Sequence, residues 1–105
     1  SSSDQNARDL KATFSESVLH LIADALLREP VRLRGTLRTV TLRPRGGVPA
    51  LEAELYDGSG SIVVIWLGRR RIGGIAPGRS VQVSGRIGAH DGARVMFNPR
   101  YELMP

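Results

Sequence analysis

Pro30-Val31-Arg32-Leu33-Arg34-Gly35-Thr36-Leu37-Arg38-Thr39-Val40-Thr41-Leu42 is the stretch that decides the fold. Val31, Leu33, Gly35 and Leu37 alternate with Arg32, Arg34, Thr36 and Arg38, the period-two pattern of a strand with one buried face. Past Arg38 the apolar parity flips to Val40 and Leu42. Side chains along a strand point strictly to alternate sides, so a flip within one run requires an extra residue, as in a β-bulge or sharp bend. One long, curled strand is expected, able to serve two sheets.

Upstream, Leu10, Phe14, Val18, Leu21, Ile22, Ala25 and Leu26 recur at steps of three and four. That spacing predicts an amphipathic α-helix over 10–29, after a flexible start at 1–9. Pro30 ends it, because proline lacks the amide of a continuing helix and disfavours helical geometry in the residue before it. Downstream, Arg43-Pro44-Arg45-Gly46-Gly47 reads as a loop, and Leu51, Ala53 and Leu55 alternate with Glu52, Glu54 and Tyr56 in a second strand. Asp57-Gly58-Ser59-Gly60 turns into a third strand, Ile62 to Leu67, apolar on both faces. An arginine- and glycine-rich connection follows. The fourth strand holds Val81, Val83 and Ile87, Asp91-Gly92 turns the chain, and a fifth strand from Arg94 to Leu103 is interrupted at Asn98-Pro99. Five short strands with a long first one and a break between the third and fourth predict a mainly β, five-stranded OB-fold Greek-key barrel over 31–105, behind one N-terminal helix. The competing plan is another small barrel of SH3-like type. Closure into a barrel would also remove exposed edges.

Composition narrows the function. Hydrophobic residues at 41% and charged residues at 24% of 105 exclude a disordered or collagen-like chain. The longest apolar run, six residues, is far short of the roughly 20 a membrane helix requires. The N-terminal residues lack the basic start and apolar stretch of a signal peptide, which predicts a cytoplasmic protein. With no cysteine, disulfides, thiolate metal sites and a cysteine nucleophile are excluded. No zincin, P-loop or Rossmann pattern occurs, and neither a cofactor nor an enzymatic activity is expected. Residues 1–29 carry three basic and five acidic side chains, whereas 30–105 carry twelve arginines against five acids. The β region therefore attracts polyanions.

Three segments in register carry a family resemblance: 51–62 (Leu-Glu-Ala-Glu-Leu-Tyr-Asp-Gly-Ser-Gly-Ser-Ile), 77–87 (Pro-Gly-Arg-Ser-Val-Gln-Val-Ser-Gly-Arg-Ile) and 96–102 (Met-Phe-Asn-Pro-Arg-Tyr-Glu). Their order resembles the tRNA-anticodon type of OB-fold nucleic-acid-binding domain, in particular the wedge domain of the RecG branched-DNA helicase. It resembles more closely a group of small stand-alone OB-fold proteins of actinobacteria. The resemblance covers about 31–105 and implies binding of single-stranded or branched DNA, or of RNA. Where the helicase wedge carries base-stacking aromatics, this chain has Leu67 and Arg71.

An OB barrel binds on its second and third strands, between two flanking loops. Here those loops are Arg43-Pro44-Arg45-Gly46-Gly47 and Gly88-Ala89-His90-Asp91-Gly92. Arg43 and Arg45 are candidate phosphate grips, against a solvated hairpin tip. Arg69, Arg70 and Arg71 form the densest cationic cluster and are further candidates, unless Asp57, Glu52 or Glu54 pairs one of them. Tyr56 is the candidate stacking surface and His90 a polar contact from the second loop. Arg32, Arg34 and Arg38 read as a solvated face. Trp66 and Phe97 are expected in the core, and Tyr101 closing the barrel. Glu52 and Glu54 on the same face would repel phosphate unless a bound strand follows the loops. Val63, Ile65 and Leu67 form an apolar outer row that needs cover, either from the N-terminal helix through Phe14, Val18, Ile22 and Leu26 or from a second subunit in a homodimer. Two functions follow as expectations: a non-enzymatic nucleic-acid-binding module with weak sequence specificity, or an interaction module that self-associates or docks a partner protein.

Overall fold

The structure, a computed structural model, describes residues 18–105. It is mainly β. Among the described residues eight strands run in chain order: β1 (Leu19–His20), β2 (Pro30–Leu42), β3 (Ala50–Tyr56), β4 (Ser61–Leu67), β5 (Ser80–Arg86), β6 (Gly88–His90), β7 (Ala93–Phe97) and β8 (Arg100–Leu103). The hydrogen-bonded order is β6-β7-β4-β3-β2-β5-β8, with β1 added in parallel to β2.

The deciding stretch forms one strand throughout. Its first half pairs antiparallel with β5 and its second half with β3, and Thr36 pairs with both Ser80 and Tyr56. A register shift falls between Leu37 and Thr39, where the apolar parity flips. Leu37 is buried in the core, while Arg38 is spun out to the other side.

The expected barrel closure is not observed. The sheet has open ends at β6 and β8 because the predicted fifth strand is split: Asn98 adopts a left-handed φ of 50°, and Pro99 offers no N–H to a ladder. β7 pairs in parallel with β4, whereas β8 pairs antiparallel with β5. Across the split, the Trp66 indole N–H donates to the Pro99 carbonyl at 3.1 Å, so Trp66 is buried as expected and also hydrogen-bonded. Tyr101 does not close a barrel; it stands half exposed at the edge, its ring 5.8 Å from that of Trp66.

The N-terminal helix is corrected over its described part, and residues 1–17, including Phe14, lie outside the described residues. From 18 to 29 the chain forms β1, one 3-10 turn at Ile22–Asp24 and a bridge from Leu27 to Ile87. Helix propagation is cut at both sides of the turn, since Leu21 and Ala25 are extended. The Ile22 amide donates to the Asp57 carboxylate at 2.8 Å and the Ala23 amide to the Ser59 hydroxyl at 3.1 Å, and the Arg94 guanidinium donates to the Ile22 and Ala25 carbonyls. Only Ile22 and Ala25 of this segment enter the core; Val18 and Leu26 face solvent. After β4, Ile72 and Ile75 enter the same core from the connection to β5. Among the described residues no helix is long and apolar enough to cross a membrane.

Part of the outer apolar row is covered by the sheet's own side chains. Ile65 is fully buried, packed with Ala50, Val63 and Val95 in a small cluster apart from the main core. β7 supplies the cover: Val63 pairs with Val95 and Ile65 with Phe97. Of the three residues, only Leu67 is left exposed.

Candidate nucleic-acid interface

The outer face of β3, β4 and β7 gathers side chains from distant positions in the sequence, from Arg43 to Phe97. Glu52 lies opposite Ile65, and Ile65 opposite Phe97, so the three residues form a row across the three strands. Arg45 reaches over this row from the hairpin between β2 and β3. Arg45 and Val48 exchange backbone hydrogen bonds at 2.8 and 2.9 Å around Gly46 and Gly47, which take φ of 56° and 78°. Two consecutive left-handed residues make a tight primed turn, and glycine adopts it without strain. The turn directs Arg45 back onto the sheet.

There the Arg45 guanidinium donates to one Glu52 oxygen at 2.9 Å, and Arg43 lies 3.3 Å from the other. Arg45 also comes within 3.4 Å of His90 Nε2 and 5.9 Å of the Phe97 ring centroid. The His90 and Phe97 rings meet edge to face at 6.3 Å. Arg45 is the more enclosed of the two hairpin arginines, with 29% of its side chain exposed against 66% for Arg43, and its Nε is enclosed without a hydrogen-bond partner. Arg45 thus organises the face, while Arg43 is the accessible cation.

His90 lies on β6, paired with Ala93, rather than in the loop the sequence suggested. Its Nε2 is 3.3 Å from the Asp91 carboxylate. Phe97 corrects another expectation. It shares parity with Val95, but that parity is the outer one: Met96 is the β7 side chain fully buried in the main core, and Phe97 is 42% exposed. An exposed aromatic ring flanked by arginine and histidine was therefore missed. In the sequence Val95, Met96 and Phe97 are consecutive apolar residues, and only the pairing with β4 selects which of them point inward.

Tyr56 is exposed on β3, with one side of its ring occupied by the Arg38 guanidinium 3.4 Å from the centroid. Arg38 also lies 3.6 Å from Glu54. Each glutamate on this face is therefore matched by arginine, which limits its repulsion of an incoming anion.

Arg69, Arg70 and Arg71 are exposed and form no ion pair among the described residues. The acids considered for them are engaged elsewhere, Glu52 and Glu54 as above and Asp57 with the N-terminal segment. The chain leaves β4 at Leu67, which pairs with Ala50, and the next amide, Gly68, donates to the Pro49 carbonyl at 2.7 Å. The Arg43 amide donates to the Ala50 carbonyl at 2.9 Å. Arg43 and the three-arginine run are thus anchored at the same end of the β3–β4 ladder, despite lying 26 residues apart in the chain (43 to 69). Among the described residues no three metal-ligating side chains come together.

Neither a protein-family model nor a curated protein matches this chain.

Proposed function

We propose that this chain is a non-enzymatic nucleic-acid-binding module of OB-fold type that holds single-stranded or branched DNA, or RNA, on the outer face of β3, β4 and β7. The observation carrying the proposal is the run Arg69, Arg70 and Arg71: among the described residues it forms no ion pair, and it lies beside a sheet face whose own carboxylates are already matched by arginine. Adjacent guanidiniums repel one another in the absence of an anion, and backbone phosphates relieve that repulsion with release of counterions. The topology supports the OB reading, since one long strand is shared between two antiparallel partners and β4 runs parallel to β7. Phe97 offers a base-stacking surface, Arg43 a further phosphate contact and His90 a polar contact. Tyr56 takes a lesser part because Arg38 occupies one side of its ring. Few amide side chains face the site, so binding is weakly sequence-specific.

The test is fluorescence anisotropy of a labelled oligothymidine of about 20 nucleotides at several salt concentrations, a length above the site size of a single OB fold. Each phosphate contact on a single strand contributes about −0.7 to the log–log salt slope, so alanine at Arg69, Arg70 and Arg71 together flattens it by up to about 2. Phe97→Leu weakens binding by about 1–3 kcal/mol, the range of one stacked base, and leaves the slope unchanged. Absence of binding at low salt, with an oligomer that persists at high salt, would reject this function in favour of the interaction module.

A further inference from the structure

A second basic surface also includes Phe97. Where β5 passes into β6, a groove of about 580 Å³ is lined by Arg28, Arg86, Arg100, Phe97 and Asn98, together with the segment from Ser84 to Gly88. Among the described lining residues there is no acidic side chain. The rim is held firmly: the Arg86 guanidinium donates to the Arg28 carbonyl at 2.7 Å, and the Arg28 amide donates to the Ile87 carbonyl at 2.8 Å. Arg28 keeps this position at a φ of 66°, a left-handed conformation unfavourable for arginine that its two backbone hydrogen bonds stabilise. One wall is backbone at Gly85 and Gly88, which leaves room beside the guanidiniums.

Phe97 belongs to both surfaces. Its ring meets His90 on the outer face, and the residue is also among those lining this groove. We propose that the groove is the continuation of the nucleic-acid path: a single strand stacked on Phe97 passes over the β7–β8 corner and lays its next phosphates against Arg28, Arg86 and Arg100. The inference rests on the nucleic-acid reading of the outer face. It adds a second set of phosphate contacts and makes the site longer than the face alone. The occupant is a polyanionic strand because the described lining residues include three arginines and an aromatic ring but no acid, complementary in charge to phosphodiesters and in surface to a base.

Oligothymidines of about 6 and about 20 nucleotides, within and beyond the span of a typical OB site, separate the two surfaces. Arg28→Gln keeps the backbone bonds that hold the rim and removes one cation. With the longer strand it is expected to flatten the salt slope by about 0.7, so the affinity lost over a tenfold rise in salt shrinks by about fivefold. The shorter strand, held on the outer face, keeps its wild-type slope. Arg28→Lys restores the slope, and Arg100→Gln, at a second position in the groove, repeats the loss. Equal slopes for wild type and both glutamine variants at both lengths, with the Arg69, Arg70 and Arg71 alanine variant still impaired, would overturn the groove and leave the outer face standing. If wild type bound neither strand, both readings would fall together.

Discussion

Alanine at Gly35 is expected to destabilise the protein by about 3 kcal/mol, the upper part of the range for forcing atoms into a packed site. A Cβ built at this position would lie 2.5 Å from the Tyr56 carbonyl oxygen and 2.9 Å from its carbon. Both are backbone atoms, so no side chain can rotate to make room. Gly35 pairs with Val81, and the next residue, Thr36, pairs with both Ser80 and Tyr56. Gly35 therefore sits where β2 passes from one partner to the other, and the extra methyl pushes the end of β3 off the ladder. For a domain of this size the loss corresponds to a fall in Tm on the order of 10–20 °C. Gly73→Ala is the control, since among the described residues nothing lies within 4 Å of its Cβ and its φ is outside the left-handed region. A Gly35→Ala protein melting with the Gly73→Ala control would show that β3 can shift at little cost.

Asp57→Ala is expected to cost about 2–3 kcal/mol, the magnitude for removing an ionised acceptor that serves several amides. One carboxylate oxygen accepts from the Ser59 hydroxyl at 2.6 Å and from the Ser59 and Gly60 amides, while the other accepts from the Ile22 amide. Ile22 is fully buried, so its amide loses its acceptor where water cannot easily replace it. The variant should lose hydrogen-exchange protection first at Ile22 and Ala23, before the β2–β5 ladder opens. Partial burial of Asp57 is the largest single influence on its ionisation and raises its pKa. The hydrogen bonds from the Ser59 hydroxyl and the Ile22, Ser59 and Gly60 amides together outweigh it and hold the carboxyl below its ordinary value. A carboxyl whose pKa is lowered by folding stabilises the native state fully above its unfolded pKa, about 3.9, and loses that contribution as pH falls through the folded value. Urea denaturation of wild type from pH 6 downward should show this acid-side loss, and Asp57→Asn should remove that component. Parallel pH profiles for the two proteins would assign the acid sensitivity elsewhere.

The contrast between β2 and the N-terminal segment shows what can be read directly from a sequence. In β2 the period, the parity flip and the bulge are local consequences of one strand's pleat, and they appear at the residues where the alternation changes. The segment 18–29 has helical spacing too, but its Ile22 and Ala23 amides are captured by Asp57 and Ser59, about 35 residues away, and its carbonyls by Arg94. Periodicity reports what a segment could bury; it does not report which distant group takes its backbone. The site divides in the same way. The cationic runs at Arg43, Arg45 and Arg69 to Arg71 are visible as composition, whereas the exchange of roles between Arg43 and Arg45 depends on Glu52 and on the turn at Gly46 and Gly47.

The sequence by itself determined the β class, the long bulged strand, the turns at Asp57 to Gly60 and at Asp91-Gly92, the break at Asn98-Pro99 and the excess of arginine beyond residue 30. These follow from side-chain period, from residues that favour turns and from charge, all properties of neighbours along the chain. Tertiary structure alone decided that Met96 points inward and Phe97 outward, that β7 covers Ile65, and that Arg43 and Arg69 flank one end of a ladder. Those outcomes depend on strand register, and a shift of one residue would exchange the two faces of β7.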